Sequence, residues 1–402
     1  MLTEETRTAV TEFATSLLSL RPLAEAGHPI AVPLDAAPPR PGCLAVADVA
    51  ATVAERLNVP LAPVWRGSAA PAPGPTGGSA DLFARIVPDR LGSCLTEELG
   101  RVPVGARAEV GGVAAAVADG GFDRLRAPST VSTPDGAELR TYAAGQRGRP
   151  AIVIASACGM PGALCEPWMR FLARDHFVVT WETRGLFGRL GAADQFDRLG
   201  HDPAAQAADL LTVMDSYELP TAHLMGLCGG AVLALRAAGE RPERVSSLSL
   251  WHGDYELGAG CPKTDHQHNL KALMEMAVQS RASAAVINAA LCQTAMAAVP
   301  VSVAHLVVYP YVNAELFYRY CALTGSIMSA DVASLLGAVR QPALVVTSED
   351  DHTAHPAGSH RVAAALPAAQ LRVEPHGDHI SVFSAAPRLR RILTDFLGSL
   401  PG

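Results

Sequence analysis

From Ala127 onward the chain is a series of short, β-branched apolar runs separated by helical stretches, and no other feature of its 402 residues restricts the fold as strongly. The runs are Ala151 to Ala157, Phe177 to Trp181, Ala222 to Met225, Val245 to Trp251, Ala343 to Thr347 and Gln370 to Val373. Most are continuous rather than alternating, as strands covered on both faces must be, and the segments between them can hold crossover helices. The pattern predicts an α/β protein with a mostly parallel central sheet. Ahead of it, Thr130 to Thr133, the turn Pro134-Asp135-Gly136 and Glu138 to Ala143 predict an antiparallel hairpin. About ninety residues separate Trp251 from Ala343, too many for a simple crossover, and predict a helical lid over about 256–340.

Residues 1–125 read differently. Helical periodicity is best from Ala45 to Leu57, a Pro/Gly/Ala/Ser stretch from Ser68 to Ser79 has the composition of an exposed linker, and a second helical patch reaches Ala115 to Ala118. The expected division is an N-terminal helical region, 1–125, and a sheet-containing domain, 126–402. Ala282 to Ala314 has no Lys, Arg, Asp or Glu and is long enough to span a bilayer. Pro300, Pro310, Asn288, Gln293 and His305 interrupt it, which favours an apolar helical cap. A net charge of −7 without a basic run predicts no nucleic-acid or membrane partner and leaves a small-molecule or carrier-bound substrate. Eight scattered cysteines without a CxxC pair, in a chain whose first residues carry acid and no apolar core, predict free thiols and a cytoplasmic setting.

The chemistry concentrates where the run Ala222 to Met225 enters Gly226-Leu227-Cys228-Gly229-Gly230 and then a helical stretch. This is the strand-elbow-helix context of G-x-S-x-G, with Cys228 in the serine position. Glycines on both sides let strand and helix pack around a nucleophile at a strained backbone angle. His379, in Glu374-Pro375-His376-Gly377-Asp378-His379 after the last run, is the expected general base, with His376 its competitor. Two aspartates compete for the acid: Asp351, in Glu349-Asp350-Asp351-His352 after the fifth of the six runs, and Asp254, in Trp251-His252-Gly253-Asp254. The expected oxyanion donors are the backbone N–H of Gly229 and that of Gly159 in Cys158-Gly159-Met160-Pro161. Glu182, in Trp181-Glu182-Thr183-Arg184-Gly185, is expected to tether loops. Cys158 reads as a small buried residue rather than a redox partner of Cys228. Cys261, Asp265, His266 and His268 match no common zinc spacing, so neither metal nor cofactor is expected.

The order of strands, elbow, lid and late histidine from about Ala127 to the end resembles the α/β-hydrolase superfamily. The Cys228 elbow together with Asp254 and His379 is similar to Cys-dependent Dieckmann cyclases and thioesterase-like enzymes of bacterial polyketide and tetramate-type biosynthesis. That resemblance implies an acyl-cysteine made from a thioester, then cyclisation by a carbon nucleophile or release. It also implies an apolar, polyketide-like substrate, free or on an acyl carrier protein. Sulfur suits such chemistry because thioester exchange is nearly isoenergetic. The rival expectations are a lyase that expels a carboxylate with His379 as base, a Cys-type esterase or lactone hydrolase, and a binding module without turnover.

Overall fold

The computed structural model describes all residues except 29, 35–37, 66–85, 93, 126–129, 189–190, 295–299 and 401–402. The chain forms two compact units, residues 1–125 with 285–314 and residues 126–284 with 315–402. The stretch read as one lid, about 256–340, is therefore divided between them.

In the first unit, helices span Glu4–Ser19, Arg21–Glu25, Val46–Leu57 and Arg107–Gly120. Thr3 caps the first of these through Thr6 N, and Asn58 at φ +53° ends the third. Their apolar stripes, including Phe13, Leu17, Val53 and Val110, are buried. The unit also contains a parallel strand pair, β1 (Ile30–Leu34) and β2 (Leu61–Trp65), joined through the Val46–Leu57 helix. A purely helical reading missed it because each strand carries a proline, which lacks the ladder N–H. A two-stranded pair leaves each strand an open edge where that loss is tolerated. The expected linker at 68–79 lies outside the described residues.

The second unit carries the sheet. A short hairpin, β3 (Val131–Ser132) with β4 (Glu138–Leu139), precedes β5 (Thr141–Ala144), β6 (Ala151–Ala155), β7 (Phe177–Trp181), β8 (Ala222–Leu227), β9 (Val245–Trp251), β10 (Ala343–Ser348) and β11 (Ala369–Glu374). The seven-stranded order is β11-β10-β9-β8-β6-β7-β5, parallel except for β5. All six expected runs are strands of this one sheet. The second arm of the expected hairpin splits: Glu138–Leu139 pairs back, whereas Thr141–Ala144 joins the edge of β7, with Glu182 N–H donating to Arg140 O at 2.9 Å at the handover.

Strands β7, β8 and β10 are buried at every position, whereas β11 at the edge is largely half-exposed. After β6 the chain turns to one side for β7 and returns to the other for β8. The carboxyl ends of β6 and β8 thus border a switch point, where open α/β sheets place their sites. Between β9 and β10 lie helices Asp265–Ala277, Arg281–Thr294, Val301–Val307 and Ala314–Met328. The uncharged stretch is broken at Pro300, the N-cap of Val301–Val307, and no described helix is long and apolar enough to cross a membrane.

Candidate active site

Cys228 stands between β8 and the helix Gly230–Glu240 with φ +54°, in the left-handed region that residues with a β-carbon rarely occupy. Two backbone bonds hold it there: its N–H donates to Trp251 O at 2.9 Å, and Ala231 N–H donates to Cys228 O at 3.0 Å. The flanking glycines are sterically required. A β-carbon on Gly226 would stand 2.4 Å from Ala231 Cα, and one on Gly230 would stand 2.0 Å from Ala155 O. Close backbone packing on both sides thus forces the turn that lifts the thiol out of the sheet.

His379 opens a short 3-10 turn, His379–Ser384, and is buried. Its Nδ1 donates to Asp351 Oδ2 at 2.9 Å, and its side chain also hydrogen-bonds Cys228. Burial alone would lower the histidine's pKa, but the charge of Cys228 and the bond to Asp351 outweigh it and raise it well above the ordinary value.

Asp351 is fully enclosed. Oδ1 accepts from Thr353 N–H and Ala354 N–H, both at 2.9 Å, and Oδ2 accepts from His379 and from His252, both at 2.9 Å. Burial works to raise its pKa, yet these bonds hold it well below the carboxylate range. Of the two candidate acids, the structure brings Asp351 to His379. Asp254 instead accepts from Gln267 Nε2 and lies 3.7 Å from Lys263 Nζ. His376 is exposed and pairs with Asp350 at 3.1 Å, away from Cys228.

The oxyanion donors divide similarly. Gly229 precedes the first helical turn, where an N–H has no intrahelical acceptor. Gly159 N–H, by contrast, donates to Thr183 Oγ1 at 2.9 Å and is already used. Gly159 is needed for another reason: at φ +77°, a β-carbon would come within 2.5 Å of the Tyr320 ring. Glu182 bridges loops by accepting from Gly162 N–H at 3.0 Å and Arg140 Nε at 2.6 Å. Cys158 is buried, its thiol pushed up to about 11 by desolvation, and all eight cysteines are free.

Sequence reasoning missed two residues. His252, directly after β9 at φ +48°, shares Asp351 Oδ2 with His379. Tyr255 is buried with no partner on its hydroxyl among the described residues, and its pKa is raised by burial, then by the charges of Cys228 and Asp254. Their position just past β9, whose last residue holds Cys228 N–H, was the available signal. His252 Nδ1, Asp351 and His379 Nδ1 also lie close enough to ligate one cation. Both Nδ1 atoms instead hydrogen-bond the carboxylate.

A cysteine at a strand-to-helix elbow, a histidine after the last strand and an aspartate after the strand before it, all on one mostly parallel sheet, define the architecture. The chain has the α/β-hydrolase fold. The crystal structure of the enol-lactonase from Burkholderia xenovorans LB400 superposes with a TM-score of 0.52 at 21% identity, covering 65% of this chain and 97% of that one. In sequence, the chain is similar to the protein named "Putative carbamate hydrolase RutD" of Variovorax paradoxus (strain S110), 28% identical over 261 residues, which are 63% of this chain and 94% of that protein. It is also similar to the L-allo-isoleucyltransferase of Pseudomonas savastanoi pv. glycinea, 27% identical over 175 residues, 43% of this chain and 61% of that protein. No family model matches the chain.

Proposed function

We propose that the protein is a Cys-dependent acyl transferase of the α/β-hydrolase fold, taking an acyl or aminoacyl group from a thioester in natural-product biosynthesis. The observation that carries the reading is Cys228 at φ +54° on the elbow, beside a His379 whose other nitrogen is held by Asp351. In the first step Cys228 Sγ gives its proton to His379 Nε2 and forms a bond to the acyl carbon. The carbonyl electron pair moves onto oxygen, where Gly229 N–H stabilises it. Collapse breaks the bond to the donor thiol, which leaves with the proton from His379. An acceptor then attacks the acyl-cysteine, His379 taking the acceptor's proton and returning it to Cys228.

Two features support transfer. The acyl-cysteine is itself a thioester, so exchange with a thioester donor is nearly isoenergetic. A relative bears the name L-allo-isoleucyltransferase. Dieckmann-type closure within one chain uses the same acyl-enzyme, but the pairing of Asp254 with His379 on which that resemblance drew is replaced by Asp351. Hydrolysis is the second reading, because the carbamate hydrolase relative matches over nearly its whole length.

Intact-protein mass spectrometry with aminoacyl and β-ketoacyl thioester mimics tests the proposal. Wild type is expected to gain the acyl mass, lose it to an added thiol or amine acceptor faster than to water, and show no adduct as Cys228→Ala. Turnover that survives in Cys228→Ala without an adduct overturns it, and release to water alone makes the protein a hydrolase.

A further inference from the structure

His252 has no task in the transfer just described, yet it is built into the centre of the site. It is 2% exposed and keeps φ at +48° while its backbone N–H donates to Val346 O of β10 at 2.9 Å. Its Nδ1 donates to the same carboxylate oxygen as His379, at the same 2.9 Å, and the two rings meet edge to face with centroids 5.9 Å apart. The other oxygen of Asp351 is occupied by two amides, so Oδ2 is where the carboxylate divides its remaining accepting power between two imidazoles.

We propose that His252 is a positioning residue that sets the proton affinity of His379 through the shared Asp351 oxygen. The inference rests on the proposed roles of Cys228 and His379. A donor on Oδ2 withdraws charge from the carboxylate, which then holds the His379 Nδ1–H less strongly and stabilises the imidazolium less. His252 thus opposes the elevation that Asp351 and Cys228 produce and keeps His379 able to surrender its proton to a leaving thiol. The other ionisable groups acting here are His266, on the helix Asp265–Ala277, and Asp254: His266 interacts electrostatically with His379, Asp254 and Asp351. Neither bonds to Asp351 Oδ2, so the effect assigned to His252 is separable from theirs.

Iodoacetamide alkylation of Cys228, followed peptide by peptide across pH, reads the Cys–His pair without a substrate. The alkaline inflection reports deprotonation of His379. His252→Phe is expected to move that inflection up by about one pH unit, the scale of one charge-assisted hydrogen bond. His252→Asn, whose amide can still donate, is expected to return it toward wild type. An unmoved inflection in a folded His252→Phe overturns the proposal. Should that variant not fold, ¹⁵N NMR of wild type decides. A His252 Nδ1 signal that titrates with His379 supports the coupling, and one that stays fixed overturns it. If wild-type Cys228 labels like an ordinary surface thiol and His379→Ala does not change its profile, the nucleophile reading itself fails, a result distinct from either outcome for His252.

Discussion

Two aspartates fitted the sequence pattern, Asp351 the better of the two, and their contacts differ. Asp351 is the carboxylate that reaches His379, and its four accepted bonds leave it ionised. Asp351→Asn is expected to slow Cys228 acylation about 10²- to 10⁴-fold, because the imidazole loses both its orientation and the charge that supports its protonated form. Asp254→Asn should slow it far less, since Gln267 and Lys263 are its neighbours. Single-turnover acylation of both variants measures the difference, and equal losses would return Asp254 to contention. Gly226→Ala probes the elbow. Its methyl would meet Ala231 Cα at 2.4 Å, a backbone atom that cannot rotate away, so a loss of about 3 kcal/mol in urea unfolding is expected. The partner that separates the two carboxylates, His379, lies 28 residues from Asp351, which is why spacing could not decide between them.

At the scale of elements, His379 depends on a tether between distant segments. Trp168, buried on the helix Glu166–Leu172, donates from Nε1 to Val382 O at 2.7 Å and so pins the turn His379–Ser384. Trp168→Phe keeps the aromatic bulk but leaves a carbonyl unpaired. It should lower stability by about 1–2 kcal/mol and also slow acylation, because the turn is free to shift. Thermal melts and acylation rates on the same sample test this. An unchanged rate alongside a lowered melt would show that the tether is not needed to place His379. Strand boundaries were legible for the buried strands because their runs are continuously apolar. They were blurred at the hairpin, where Arg140 separates residues of one extended pattern into two different sheets.

Across the whole molecule, each unit holds a buried histidine that resists protonation. In the sheet unit, His223 bonds Ser247 and Ser249, both at 2.8 Å, and burial pushes its pKa down to about 3. In the other unit, burial pushes His305 down to about 3. Unfolded chain binds these protons near 6.5, so it takes up more protons than the fold between the two values. Stability is therefore full above about 6.5 and declines as pH falls, by about 1.4 kcal/mol per pH unit for each histidine. His379 acts with the opposite sign: its raised value adds stability below 6.5 that is lost as pH climbs through the folded value. Urea unfolding on either side of pH 6.5 should show the acid loss, and His223→Gln should flatten it. A slope unaffected by that substitution would mean that His223 is not the group being protonated.

What the amino-acid order determined alone was the sheet, its largely parallel sense, the elbow at Cys228 and a histidine just past the final strand. These follow from local causes: apolar runs too short for helices, glycines where two backbones meet, and a position after the final strand. Tertiary structure alone decided which aspartate serves His379, that Thr183 occupies the Gly159 N–H, and that His252 shares the acid. Those are contacts between residues up to about a hundred positions apart, brought together at the carboxyl ends of neighbouring strands. No spacing along the chain encodes them, because the closing geometry exists only once the strands have paired.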